Sequence, residues 1–487
     1  MKQKPNLLTK KKAKGRIYTP DYIVENILNL CEYSGANLLK KHVIDNSCGD
    51  GAFLAEVVRR YCFVAQSAGM SADRLGEDLA TFIHGIEIDK DECQKCILNV
   101  AKVAAEFNVF DVAWDIRCAD ALNVGDYRGK MDFVVGNPPY VRVHNLLDNY
   151  GEVKNYSFAQ KGMIDLFIVF YEIGLNMLNP LGVLGYISPS SLFNSVAAST
   201  MRNHLNQNRS IKKVVDLKHY QPFEATTYTT IMILTKKHNN HVDYYEYDEQ
   251  IKAPFVVSRL NYEDFNINGS YVFGHKNILV SLQKMMSHIG GATPACVVKN
   301  GFATLYDDFF IGNWSFSQYT IPIVKASTGQ STLCLYPYDE HGKLLPYDLL
   351  AKNPTIRCHY EAHSEKLKNR SLAHPALWYG FGRSQGIKDV GKMKYAINTL
   401  IRDVGDIKLK PCEPGTGVYG GLYILTGFSL DELHDVLFAD DFIAYIAMLG
   451  KYKSGGYYTY SSKDLSRYLN YKFAERSGHR GGQPAFF

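Results

Sequence analysis

A chain of 487 residues is too long for one hydrophobic core, so two or three domains are expected. Its 46% hydrophobic and 21% charged residues are ordinary for a soluble globular protein, with no apolar run long enough to span a bilayer and no apolar stretch behind Met1 to act as a secretory signal. A formal charge of +5 permits a nucleic-acid partner without demanding one, and 10 cysteines without a spacing framework argue for a reducing, cytoplasmic setting over a disulfide scaffold.

The N-terminus is a basic arm in which Lys2, Lys4, Lys10, Lys11, Lys12, Lys14 and Arg16 precede any acid. Such an arm is either a solvated tail or a phosphate contact. Thr19 and Pro20 then read as the cap and first turn of a helix carrying Ile23, Val24, Ile27, Leu28 and Leu30 at helical spacing. The short apolar run Val43-Ile44-Asp45 ends in an acid and is followed by Gly49, Gly51 and a helix, as in the first βα turn of a nucleotide-binding sheet. It lacks the G-x-G-x-x-G that brings a backbone against pyrophosphate, and Asp45 would repel phosphate but attract an ammonium group.

Residues 66–78 are polar and contain glycine, and are expected to form a loop insertion. A second strand ends at Glu87, where a carboxylate suits a pair of ribose hydroxyls, and a helix with Cys93 and Cys96 follows. That Cys-x-x-Cys has no partner pair nearby and is expected to pack rather than bind zinc. A third strand end brings Asp120 and Ala121, with an acid able to accept from an adenine amino group.

The run Asp132-Phe-Val-Val-Gly-Asn137-Pro138-Pro139-Tyr140 reads as a buried parallel strand stopped by two prolines that cannot donate to a ladder. It leaves the Asn137 amide oxygen, the Pro138 carbonyl and the flat Tyr140 ring at the carboxyl end of a strand. Two acceptors beside a stacking surface suit a planar base with an exocyclic amine. The plain alternative is a strand-to-loop turn. Further on come a core helix over Asp165–Glu172, strands at Val183–Pro189, Val214–Leu217 and Thr230–Leu234, and a helix through Met201 and Leu205. Residues 236–241 read as a polar linker.

With acids or amide at four successive strand ends, the chain resembles the amino-type DNA methyltransferases that use S-adenosylmethionine, and among them the adenine-N6 enzymes of the γ order. The resemblance implies an α/β, Rossmann-like S-adenosylmethionine-dependent methyltransferase domain over residues 1–240 and a C-terminal α+β target-recognition domain over 241–487. It implies cofactor contacts from Tyr18, Thr19, Asp45, Asn46, Ser47, Cys48, Gly49, Gly51, Glu87, Ile88, Asp120, Ala121, Asn137 and Pro139, with Asp45 at the amino acid end and Glu87 at the ribose. Asn137, Pro138, Pro139 and Tyr140 match the catalytic N-P-P-Y, and no metal is called for. A second stacking aromatic is expected near the last hairpin, with Phe223 and Tyr228 both open. The implied partner is double-stranded DNA with a flipped-out adenine, alongside a cognate restriction endonuclease and no membrane.

The C-terminal half turns to short strands, glycines and tyrosines. Trp378, Arg383 and Gln385 in one patch and Tyr457 and Lys463 in another are polar and aromatic groups among glycines, suited to phosphate, guanine or adenine contacts, though such composition also occurs in β cores. An RNA or protein-glutamine methyltransferase and an inactive DNA-binding subunit are the competing readings. The size of the C-terminal half argues against the first, and the presence of Asn137 and Glu87 against the second.

Overall fold

The computed structural model describes residues 18–143, 150–223, 227–287, 294–314, 316–372 and 374–480. The basic arm expected at Lys2–Arg16 lies outside the described residues. The chain divides into two compact units, Met1–Gln283 and Lys284–Phe487.

The first unit is built on β1 (Val43–Asp45), β2 (Ile83–Glu87), β3 (Asp115–Cys118), β4 (Met131–Gly136), β5 (Leu178–Pro189), β6 (Ile211–Asp216), β7 (Thr229–Thr235), β8 (His241–Asp248) and β9 (Ala253–Asn261). They form one sheet in the order β3-β2-β1-β4-β5-β7-β6-β8-β9. The pairs β2–β3, β1–β2, β1–β4 and β4–β5 are parallel, whereas β7 runs antiparallel to both β5 and β6.

Alternation of side chains along the strands builds two cores. Ile44, Ile86, Val134 and Leu184 face α5 (Leu166–Met177) and α6 (Ser199–Gln207) on one side. Val43, Ile83, Val135 and Ile187 face α1 (Asp21–Leu30), α2 (Ala52–Ser67), α3 (Ala72–Phe82) and α4 (Lys90–Ala105) on the other. A sheet covered on both faces has to be apolar on both, which is why β1 and β7 are buried at every position. The order reverses between β1 and β4, and at such a switch the crevice beyond the carboxyl ends of the strands opens for ligands.

Three expectations are corrected. The polar stretch 66–78 is not a loop: Ser71 caps α3 by accepting from the Arg74 N–H, and Leu75, Asp78 and Leu79 are buried. Its apolar face is too narrow to stand out among charges. The N-cap of α1 is Pro20, with no side-chain cap bond, so Thr19 is not a cap. The boundary expected at 240 falls inside the sheet, because β8 pairs parallel with β6 and β9 antiparallel with β8. The stretch expected to be a linker, 236–241, is a turn over 236–240 that leads directly into β8 at His241, and it is held by Asn239, whose amide donates to the Arg209, Thr235 and Lys237 oxygens.

The second unit is α+β. Strands Cys296–Asn300, Leu422–Thr426, Lys394–Ile397 and Leu409–Cys412 form a four-stranded antiparallel sheet in that order, and two three-stranded sheets accompany it. Helices Pro354–Lys368 and Ser462–Arg480 are its longest.

Candidate active site

The four strand ends read from sequence do converge. Asp45, Glu87 and Gly136 close β1, β2 and β4, and Asp120 follows β3. The loop after β1 is shaped by the neighbouring strand: the Cys48 N–H donates to the Ile86 carbonyl at 3.0 Å, and the Gly49 N–H to Glu87 Oε2 at 2.9 Å. The other carboxylate oxygen of Glu87 accepts the Asp89 N–H at 2.9 Å. Glu87 therefore holds both its own turn and the β1 loop, with lone pairs remaining for hydroxyl donors. Ile88, next to it, is 66% exposed.

Gly51 sits at φ +92, and a Cβ there would stand 2.7 Å from Cys96 Sγ. The Cys93 and Cys96 side chains are both buried against the sheet face that carries this loop. Among the described residues no cluster of His, Cys, Asp or Glu has the arrangement of a metal site.

Asp45 is 1% exposed and accepts the Ser47 N–H at 3.0 Å. Its carboxyl lies over the neighbouring strand, where a Cβ on Gly136 would meet Asp45 Oδ1 at 2.6 Å. Burial pushes this carboxyl up to about 8, and the Glu87 and Asp50 carboxylates push the same way against the Ser47 N–H. Asn46 turns inward, accepting from the Tyr186 hydroxyl at 2.8 Å, so its side chain is part of the core. Asp120 accepts the Leu122 N–H and caps a single 3-10 turn that begins at the buried Ala121.

Two predictions arise here. Gly136 has φ +151 and no space for a side chain, so Gly136→Ala is expected to cost about 1–3 kcal/mol of stability, with denaturant unfolding as the measurement and an unchanged midpoint as the refuting result. Asp45 keeps its proton in the folded chain to higher pH than in the unfolded one, so the folded state binds more protons between the ordinary carboxyl value and about 8. Stability from this group is fully present below the ordinary value and is lost as pH rises towards about 8. Asp45→Asn should therefore gain stability relative to the unsubstituted protein as pH is raised from about 5 to about 8, as read by thermal unfolding across that window. Parallel curves for the two proteins would refute this.

At the end of β4, Asn137 Nδ2 donates to Thr19 Oγ1 at 3.2 Å, and the Ser47 hydroxyl lies 3.5 Å from the Asn137 carbonyl. Pro138 is buried, Pro139 and Tyr140 half-buried. The Tyr140 hydroxyl donates to the Ile187 carbonyl at 3.3 Å. Its ring meets Phe167 and Phe223 edge-on, each with centroids 6.4 Å away. Of the two aromatics left open by the sequence, Phe223 is thus the one brought to Tyr140, whereas Tyr228 meets the His219 ring. Tyr18 donates to the carboxylate of the buried Glu92.

Sequence reading missed Gly136 and Phe167. Gly136 carried a signal, a glycine inside an otherwise β-branched run where a close backbone approach is needed.

In the second unit, Trp378 packs into an aromatic core with Tyr347, Tyr360 and Tyr379, with the Lys368 ammonium 5.0 Å from its ring. Arg383 and Gln385 are exposed on a loop whose backbone pairs Arg383 with Ala303. Lys463 is exposed at the start of the last helix. Tyr457 lies under the Arg402 guanidinium at 4.5 Å. Trp378 is thus half-buried against these rings, while Arg383, Gln385 and Lys463 present their side chains to solvent. No helix among the described residues is long and apolar enough to cross a membrane.

Residues 55–223 match the Eco57I restriction-modification methylase family. The chain is 26% identical over 420 residues to the type II methyltransferase M.BstVI of Geobacillus stearothermophilus, covering 75% of this chain and 73% of that one. It is 21% identical to the type II restriction enzyme and methyltransferase RM.Eco57I of Escherichia coli, across 77% of this chain but 48% of that one, so it spans about half the length of that relative. In fold it is similar to the type IIL restriction-modification enzyme MmeI, whose structure is in complex with DNA, with a TM-score of 0.64 at 15% identity over 92% of this chain and 64% of that one. The first unit thus has a Rossmann-like α/β fold with a further domain after it, as in that restriction-modification enzyme, and the chain is similar in sequence to restriction-modification methyltransferases, with residues 55–223 matching the Eco57I type.

Proposed function

We propose that the chain is a site-specific DNA methyltransferase of the γ order that moves a methyl group from S-adenosylmethionine to the N6 amine of a flipped-out adenine, as the modification activity of a restriction-modification system. The observation that carries this reading is the placement of Asn137-Pro138-Pro139-Tyr140 at the carboxyl end of β4, directly beside the switch point, with the Asn137 amide anchored and Phe223 closing on Tyr140. The family match and the DNA-bound fold relative support it.

The residues around the β1 loop fit the cofactor. Gly49 and Gly51 at positive φ hold a turn close to the sheet, and the Glu87 carboxylate stands at the end of β2 where two ribose hydroxyls can donate to it. S-adenosylmethionine supplies, when bound, a methyl group on a positively charged sulfur that already activates it for transfer.

What the chain adds is orientation. The adenine amine is a weak nucleophile because its lone pair is delocalised into the ring. Acceptors at the Asn137 side chain and the Pro138 carbonyl would take its two hydrogens and favour a pyramidal nitrogen with its lone pair aimed at the methyl group. The amine loses a proton readily once methylated, so no strong base is needed at the site. A base within a duplex cannot enter such a cleft and has to leave the stack, with Tyr140 and Phe223 as the aromatic surfaces that receive it. Neighbouring base pairs fall to the exposed Arg383, Gln385 and Lys463 of the second unit.

The test is incubation of the purified protein with methyl-labelled S-adenosylmethionine and unmethylated duplex DNA, followed by nucleoside analysis. Label in N6-methyladenine at one recurring sequence is the expected result. Label only in cytosine, in RNA or in protein would overturn the reading.

A further inference from the structure

The chain that leaves the Asn137–Tyr140 turn has a fixed path. Residues Val141 to Val143 run antiparallel to Ile164 to Leu166: the Leu166 N–H donates to the Val141 carbonyl at 2.8 Å and the Val143 N–H to the Ile164 carbonyl at 2.9 Å, with Arg142 opposite Asp165. In such an extended pair successive side chains point to opposite sides. Val141 and Val143 turn inward, 9% and 3% exposed, and Arg142 turns outward. Tyr140 falls on the same alternation as Arg142, two residues or about 6.5 Å earlier along the extended chain. The pairing partner is equally well placed, because Leu166 opens α5 and the next residue, Phe167, meets the Tyr140 ring. One short piece of structure thus sets the position of Arg142 relative to Tyr140.

The Arg142 side chain is 58% exposed and stands 3.9 Å from Asp165, between Nε and Oδ1. This is the outer limit of an ion pair, without the short paired bonds of a guanidinium and carboxylate fork, and an exposed pair of this kind contributes little. It keeps the guanidinium over the bridge while leaving most of its N–H donors available to a stronger anion.

A base that leaves a duplex brings its backbone with it. With an adenine against Tyr140, one sugar separates the base from the phosphate on either side, a span similar to the step from Tyr140 to Arg142. We infer that Arg142 binds a phosphate flanking the flipped-out adenine, and so holds the nucleotide by its backbone as well as by its base. This rests on the reading of the chain as a DNA methyltransferase in which Tyr140 receives the base. A phosphate accepts two N–H bonds from one guanidinium in a charge-assisted pair, which the contact with Asp165 does not match. Such a contact positions the strand and carries no sequence information.

The test compares Arg142→Ala and Arg142→Lys with the unsubstituted chain in duplex DNA binding at several salt concentrations, together with calorimetric titration of S-adenosylmethionine and thermal unfolding. Arg142→Ala should weaken duplex binding about 3- to 20-fold and lower the slope of log affinity against log salt by about 0.9, the share of one phosphate. Cofactor affinity should change less than about twofold and the unfolding midpoint should stay in place, neither of which a merely structural role would allow. Arg142→Lys retains the charge without the fork, so it should restore the slope and part of the affinity. In the duplex whose adenine takes the methyl group, a neutral methylphosphonate in place of one of the two flanking phosphates should cost the unsubstituted protein the same factor and cost Arg142→Ala nothing more. Equal affinity and slope in Arg142→Ala overturn the inference, as does a further loss in that variant from either methylphosphonate that weakens the unsubstituted protein. If the unsubstituted chain neither binds nor methylates duplex DNA, the functional reading fails and the inference fails with it. Methylation of DNA by a chain whose Arg142→Ala variant binds duplex as tightly overturns the inference alone.

Discussion

Replacing Asn137 by alanine is expected to lower kcat by about 100- to 1000-fold, the loss seen when one preorganised hydrogen-bonding group is removed from a polar transition state. The reason is geometric. The Asn137 amide donates from its nitrogen to Thr19 and stands on a strand end that two prolines prevent from continuing, so on the proposed function little has to reorganise when the substrate amine becomes pyramidal. A contact that strengthens only as the nitrogen changes shape contributes to the transition state and little to the ground state. Cofactor titration and duplex binding should therefore be close to those of the unsubstituted protein, while single-turnover methyl transfer collapses. A change confined to KM would mean that Asn137 binds substrate without taking part in the chemistry.

How much of this could be read from sequence depended on whether the signal was local. The strands ending in Asp45, Glu87 and Asn137 were legible because a fully buried parallel strand is a short β-branched run and its ligand-facing end is marked by the first polar residue after it. The helix α3 was not, because Leu75, Leu79 and the half-buried Phe82 face the core among polar neighbours. The boundary at Gln283 was not legible either. β8 and β9 read His241-Val-Asp-Tyr-Tyr-Glu-Tyr-Asp248 and Ala253-Pro-Phe-Val-Val-Ser-Arg-Leu-Asn261, a partly polar composition that suits the outer strands of a sheet and equally the start of a separate β-rich domain. Trp378 was read as a candidate nucleic-acid contact, with a β core as the alternative, because its neighbours in sequence are glycine, proline and tyrosine. Its half-buried packing is decided by Tyr347 and Tyr360, which no window around it contains. The contact of Thr19 with Asn137 belongs to the same class, since Thr-Pro before a helix has a sufficient local explanation as a cap and the true partner lies on another element.

The second large effect is expected at Glu87, and it has two parts that can be separated. Both carboxylate oxygens are already engaged by backbone N–H groups, Gly49 on the β1 loop and Asp89 at the head of α4, each at 2.9 Å. Glu87→Ala removes these two acceptors at once and, on the proposed function, also the partner of the ribose hydroxyls. A hydrogen bond to a charged group is worth about 1.5–3 kcal/mol, so losing the ribose partner alone should weaken S-adenosylmethionine binding by about 10- to 150-fold. The loosened loop adds to this, because the Gly49–Gly51 turn no longer has an anchor on β2. Glu87→Gln distinguishes the two parts. It keeps one oxygen acceptor but turns an amide NH2 towards one of the backbone N–H groups, so it should disturb the loop while still offering the ribose a neutral hydrogen-bonding group. The expected order of cofactor affinity is the unsubstituted protein, then Gln, then Ala, with thermal stability falling in the same order. Calorimetric titration of the three proteins, with unfolding followed in parallel, decides it. Affinity that falls only as far as stability does would reduce Glu87 to a loop anchor, and an affinity equal in all three would place the cofactor away from the end of β2.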